Sequence, residues 1–123
     1  MSELTYEEAR ALLARAVEEK GGDYVYPDAE YGCSYLWGDR TPACLVGHVF
    51  IYAGVTPGDI EAHEGTQAAE VVSSLFPDTE DRVRAALRAA QTVQDNGGTW
   101  AEAVVEFDRV VGEANEYEWR SHL

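Results

Sequence analysis

Apolar residues recur at helical spacing along most of this chain, broken by one aromatic stretch and a few glycine- or proline-marked turns. Ala9, Leu12, Leu13, Ala16 and Val17 make the first stripe and predict a helix from Thr5 to Lys20. Thr5 and Glu8 have the spacing of a capping box, in which hydroxyl and carboxylate each satisfy a backbone donor of the first turn. Gly21 and Gly22 end the run. Tyr24–Tyr26 and Ser34–Trp37 are short and aromatic, separated by the polar stretch Asp28–Gly32. That pattern predicts a small antiparallel β-hairpin leaning on a helix, because an isolated two-stranded ribbon is marginal in water.

Gly38–Pro42 reads as a turn, with Thr41 as cap and Pro42 at the first position of a second helix, Pro42–Ala53. Cys44, Leu45, Val46, Val49, Phe50, Ile51 and Ala53 make this helix apolar nearly all round, so it should be the buried centre, with Gly54 as its stop. Thr56 and Pro57 start a short helical turn to about Ala62, and Thr66 caps a further helix through Leu75, closed by Pro77. Asp78 or Thr79 begins a long helix with Val83, Ala86, Leu87, Ala90 and Val93 on one face, ending at Asn96–Gly98. Thr99 and Glu102 repeat the capping box, and Val104, Phe107, Val111 and Ala114 stripe the last helix, whose end frays near Tyr117–Trp119. The expected fold is α+β and mainly α: about five helices with one small antiparallel β-hairpin, in a single domain covering residues 1–123.

Composition agrees with a packed domain. Of the 123 residues 46% are hydrophobic and 26% charged, the balance of a globular protein and not a disordered one. Leu45–Gly54 and Ala101–Val105 are too short to cross a bilayer, and the acidic N-terminus lacks the basic start and apolar block of a signal peptide. A cytoplasmic protein without membrane association is the expectation.

Charge changes the picture more. Nine Lys and Arg face 23 Asp and Glu, a net charge of −14 with the few cations dispersed. Phosphate backbones repel such a surface, which argues against direct nucleic-acid binding. The acidity serves solubility, or it steers the chain toward a basic protein partner, including by mimicry of nucleic-acid charge.

Candidate chemistry gathers around Cys33, Cys44 and His48. Cys44 and His48 lie four apart on the second helix and share a face; with Cys33 and His63 they make the types of a Cys2His2 zinc set, but the knuckle spacing is absent and no metal or cofactor is expected. Cys44 in a first helical turn also suits a nucleophilic thiol, with His48 or His63 as base and Gln94, Asp95 or Asn96 to orient it. Two buried thiols are the favoured alternative to a Cys33–Cys44 disulfide in a reducing compartment. Tyr26, Tyr31, Tyr35 and Trp37 on the expected hairpin are the candidate binding residues, since outward Tyr and Trp on a rigid ribbon make interface anchors. The connection Gln94–Trp100 is explained by helix exit and entry, and no phosphate-binding glycine pattern is present.

Cys33, Ser34, Tyr35, Gly38, Pro42, Cys44–His48, Gly54 and Val55, with a later run from Gln94 to Val104, resemble two signatures of a group of small acidic proteins of actinobacteria and their phages. The resemblance implies an origin and carries no catalytic residues with it. A single Lys against eight Arg, with heavy use of Ala, Val and Gly, fits the same GC-rich source. The function expected is that of a small phage or phage-derived accessory protein working by protein–protein interaction, inhibiting a basic host protein or mimicking nucleic acid toward it. The alternatives are a thiol-dependent hydrolase or small-ligand binder using Cys44 with His48 or His63, and a virion or assembly component. A homodimer is compatible with all three.

Overall fold

The computed structural model describes residues 3–27 and 34–121, with side chains through residue 113. Six helices lie among them: α1 (Tyr6–Lys20), α2 (Leu45–Tyr52), α3 (Pro57–Glu61), α4 (Ala68–Leu75), α5 (Asp81–Asp95) and α6 (Trp100–Ser121). Local capping chemistry places several of their starts. Thr5 Oγ1 accepts from the Glu8 N–H at 3.1 Å, and Thr56 Oγ1 from the Asp59 N–H at 3.3 Å, with Pro57 in the first turn. Thr99 and Glu102 form the full capping box: the hydroxyl accepts from the Glu102 N–H at 3.1 Å, and the carboxylate from the Thr99 N–H at 2.9 Å. At the end of α5, Gly97 has φ 88°. The Gly98 N–H reaches the Val93 carbonyl at 2.9 Å and the Gly97 N–H that of Gln94 at 3.0 Å, a Schellman exit leading straight into α6.

The expected hairpin is overturned. Among the described residues there is no sheet, only an isolated antiparallel bridge between Leu36 and Pro42. Ser34–Trp37 pairs forward rather than back: the Trp37 N–H donates to the Thr41 carbonyl at 2.9 Å, Ala43 to Tyr35 at 2.9 Å and Cys44 to Ser34 at 3.2 Å. Gly38, Asp39 and Arg40 make the three-residue loop between, with Arg40 in the left-handed region at φ 69°, where such loops place their third residue. The other expected strand is engaged elsewhere. The Tyr24 carbonyl accepts from the Trp100 N–H at 2.9 Å and the Gly22 carbonyl from that of Ala101 at 3.1 Å, so this segment satisfies the exposed donors that open α6. Among the described residues the regular structure is therefore all helical, and the mainly α character that the stripes suggested holds.

The forward pairing also delays the second helix. Pro42 and Ala43 are held extended against the preceding segment, so Thr41 does not cap α2; Cys44 does, its Sγ accepting from the Gly47 N–H at 3.4 Å. Helix α2 is buried from Leu45 to Phe50 and packs on α1, with further contacts to α3 and α5. Helices α5 and α6 form the most extensive pair, an αα-hairpin whose inner face carries Val83, Ala86, Leu87 and Ala90 against Ala103, Phe107 and Val111. Leu4 is buried and its N–H donates to Thr79 Oγ1 at 2.9 Å, which ties the start of the chain to the turn before α5.

Candidate functional site

Of the residues singled out for chemistry, Cys44, His48, Gln94 and Asp95 lie together in a buried polar hub where α2 begins and α5 and α6 join, and His63 is not among them. Gln94 is fully buried in the last turn of α5, and its side-chain carbonyl accepts from the Leu45 N–H at 2.8 Å and from Trp100 Nε1 at 3.1 Å. Its amide donates to Asp95 Oδ1 at 3.1 Å. One side chain thus closes donors from two other helices, each of which would cost about 1–3 kcal/mol if left unpaired. Asp95, half-buried beside it, has its pKa pushed up by burial against the lowering effect of that amide.

Cys44 has no exposed surface. His48, one turn further along α2, is buried as well, and its Nδ1 lies 2.8 Å from the Cys44 carbonyl oxygen. A carbonyl only accepts, so Nδ1 carries the proton. The contact between the two residues therefore runs through imidazole and backbone. The ring stands edge-on to Trp100 at 5.1 Å and to Tyr52 at 5.9 Å. Burial lowers the His48 pKa, opposed by the Cys44 carbonyl and by Glu19, while Lys20 adds to the lowering; the imidazole is neutral at pH 7. The Tyr52 hydroxyl donates to Glu19 and the Arg15 guanidinium lies 3.9 Å over the Tyr52 ring. Burial and Glu19 push the Tyr52 phenol up to about 12. His63 is half-buried in the turn after α3, with its backbone N–H on the Ile60 carbonyl at 2.9 Å. Among the described residues no group of three His, Cys, Asp or Glu is placed to hold a metal ion. Cys33 lies outside the described residues, and the disulfide and zinc sets that would use it go with it.

The candidate binding rings are placed differently from the outward-facing arrangement a ribbon would give. Tyr26 is 2% and Tyr35 1% exposed, Trp37 is half-buried, and Tyr31 lies outside the described residues. Tyr26 stacks on Trp37 at 5.5 Å, and its hydroxyl accepts from the Ser34 N–H at 3.3 Å. Tyr35 packs on Phe50 at 5.6 Å and its hydroxyl donates to the Thr66 carbonyl. The Glu64 carboxylate clamps the same loop, accepting from the Tyr35 and Leu36 N–H groups at 2.9 and 3.2 Å. These rings knit the loop onto α2.

A different face is open. Val105 on α6 is 68% exposed, with Ala101 exposed one turn before it. Shallow clefts run on either side of the ridge they form. Toward α1 lies one of ≈ 380 Å³, walled by Ala14, Val17, Ala101, Val104 and Val105 and edged by Arg10, Glu18 and Asp108. Toward α5 lies one of ≈ 420 Å³, lined by Val93, Ala101, Val105, Glu102 and Glu106. The apolar walls carry four carboxylates at their edges against one cation, Arg10, which is itself held by Asp108 at 3.0 Å. A signal for this face was in the sequence: Val105 is out of phase with the buried stripe of Val104, Phe107 and Val111. No protein-family model, no curated protein and no solved structure matches this chain.

Proposed function

We propose that the chain is a small acidic accessory protein, phage-encoded or phage-derived, that acts by binding a basic protein and covering the surface that protein turns toward nucleic acid. The observation that carries the reading is the exposed Ala101–Val105 ridge, an apolar strip edged by Glu18, Glu102, Glu106 and Asp108 on a body of net charge −14. The charge steers a basic partner in and the apolar strip supplies the contact that survives screening. The two residues of the thiol-hydrolase reading support it less: the Cys44 thiol is buried and serves as a helix cap, and the His48 proton is committed to a backbone carbonyl.

Retention on the immobilised chain from an actinobacterial lysate tests this, at about 50 mM and about 500 mM salt, where screening differs strongly. The expected result is a basic protein held at low salt and released at high salt, whose nucleic-acid binding is lost when the chain is added. Recovery of no partner, or of one indifferent to salt, overturns it.

A further inference from the structure

We infer that the face built by α1, α5 and α6 around Val105 is a docking groove for one amphipathic, basic α-helix of a partner protein. This rests on the reading above and specifies its partner. Three observations lead there. The first is shape: the clefts flank a helix ridge and are floored by Ala14, Val17, Ala101 and Val104, the arrangement into which another helix lays an apolar stripe.

The second is Gly112. It sits seven residues, two turns, beyond Val105 on the same side of α6, and a Cβ added there would meet nothing within 4 Å. Glycine inside an exposed helix costs about 1 kcal/mol relative to alanine, and no neighbour among the described residues requires it. The bare position leaves room for a backbone approaching closely from outside. Ala101, Val105 and Gly112 together present small, small-branched and bare positions along about 16 Å of helix axis, room for three turns of a partner.

The third is charge. Glu18, Glu102, Glu106 and Asp108 rim the clefts, Arg109 is held by Glu106 and Glu113, and Arg10 by Asp108, so these two cations are paired and the surplus on the rim is negative. A second copy of this chain would bring the same carboxylates against these. A helix with apolar residues at i, i+4 and i+7 and Lys or Arg on either flank satisfies wall and rim together.

The test uses the full chain, isotope-labelled, titrated with a synthetic helical peptide of that pattern (Leu at i, i+4 and i+7, Lys flanking) and with a scrambled peptide of equal charge. Amide shifts should concentrate at Ala14, Val17, Ala101, Val105 and Gly112 for the patterned peptide alone. Val105→Asp should weaken binding at least about tenfold, as the apolar contact is lost. Gly112→Ala should weaken binding while leaving the free chain as stable as before or more so, which separates docking from folding. Equal shifts from both peptides, scattered over the acidic surface, overturn the groove, as does unchanged affinity in both variants. Concentration-dependent self-association through Val105 also overturns it, in favour of a second copy. Salt-sensitive capture of a basic lysate protein by Val105→Asp as well as by the natural chain would sink the groove and leave the broader reading standing; absence of binding to either peptide and to any lysate protein would sink both.

Discussion

His48 shows how far one residue's role is set by what folds around it. Its ring meets Trp100 and Tyr52 edge-on, donates to the Cys44 carbonyl, and feels Glu19 and Lys20 at the end of α1, with Arg15 over the Tyr52 ring. Burial outweighs the groups that favour its charged form, so its folded-state pKa lies below the ordinary 6.5. The unfolded chain therefore takes up the proton first as pH falls. This contribution to stability is intact above about pH 6.5 and is lost as pH drops from there toward the folded pKa, with a slope of at most about 1.4 kcal/mol per unit. Urea midpoints between about pH 7.5 and 5 should fall for the natural chain and fall less steeply for His48→Phe, even though that variant is weaker throughout by about 0.5–1.5 kcal/mol for the lost imidazole hydrogen bond, the Cys44 carbonyl keeping the backbone N–H of position 48 at 3.1 Å. Parallel slopes would show that His48 does not titrate differently on folding. Neither this environment nor that of Gln94 was legible in the sequence. Gln94 stands out there as one of three polar residues near a helix end that could orient a catalytic His, whereas its actual partners Leu45 and Trp100 come from other elements, the first of them 49 positions away.

At the scale of elements, what was legible is what local chemistry decides. The Thr5 cap, the capping box at Thr99, the Thr56–Pro57 start and the glycine exits at Gly54 and Gly97 all lie where the residue pattern puts them. What was not legible is pairing. Two short aromatic segments look like partners because both suit strands, but the shorter closure is the forward one, across Gly38–Arg40, and the donors at the head of α6 take the Tyr24 segment away. Gly47 fixes the result: the Tyr35 carbonyl lies so close that an added Cβ would overlap it, backbone against backbone. Helix propensity alone favours alanine at a helical glycine by about 1 kcal/mol. At Gly47 sterics should win, and Gly47→Ala should destabilise by about 2–3 kcal/mol. At Gly112, with open space around it, the same substitution should be neutral or stabilise by up to about 1 kcal/mol. In thermal unfolding side by side, Gly47→Ala should lower the Tm and Gly112→Ala should leave it or raise it, and a Gly47→Ala chain as stable as the parent would deny the close approach of loop and helix.

For the whole molecule the governing fact is a surplus of fourteen negative charges on a small body. Five of its arginines are drawn into short pairs: Arg10 with Asp108 at 3.0 Å, Arg40 with Glu61 at 2.6 Å, Arg82 with Glu80 at 3.0 Å, Arg84 with Asp81, and Arg109 with Glu106 and Glu113. The unpaired carboxylates repel across longer distances. A Debye length of about 10 Å at 0.1 M salt leaves contacts of about 3 Å mostly intact and removes the long-range repulsion. Exposed pairs contribute only about 0–1 kcal/mol each in any case. Sodium chloride should therefore stabilise this fold: between about 20 mM and 500 mM the urea midpoint should rise, by an amount on the order of 1 kcal/mol, or several degrees in Tm. Docking of a basic helix on the Val105 face should respond with the opposite sign, because there salt screens an attraction. The pair of measurements on one protein separates the roles of the charge. If both folding and binding weaken with salt, the carboxylates serve mainly their local partners; if folding strengthens while binding weakens, the surplus is a cost to the free chain that a basic partner relieves.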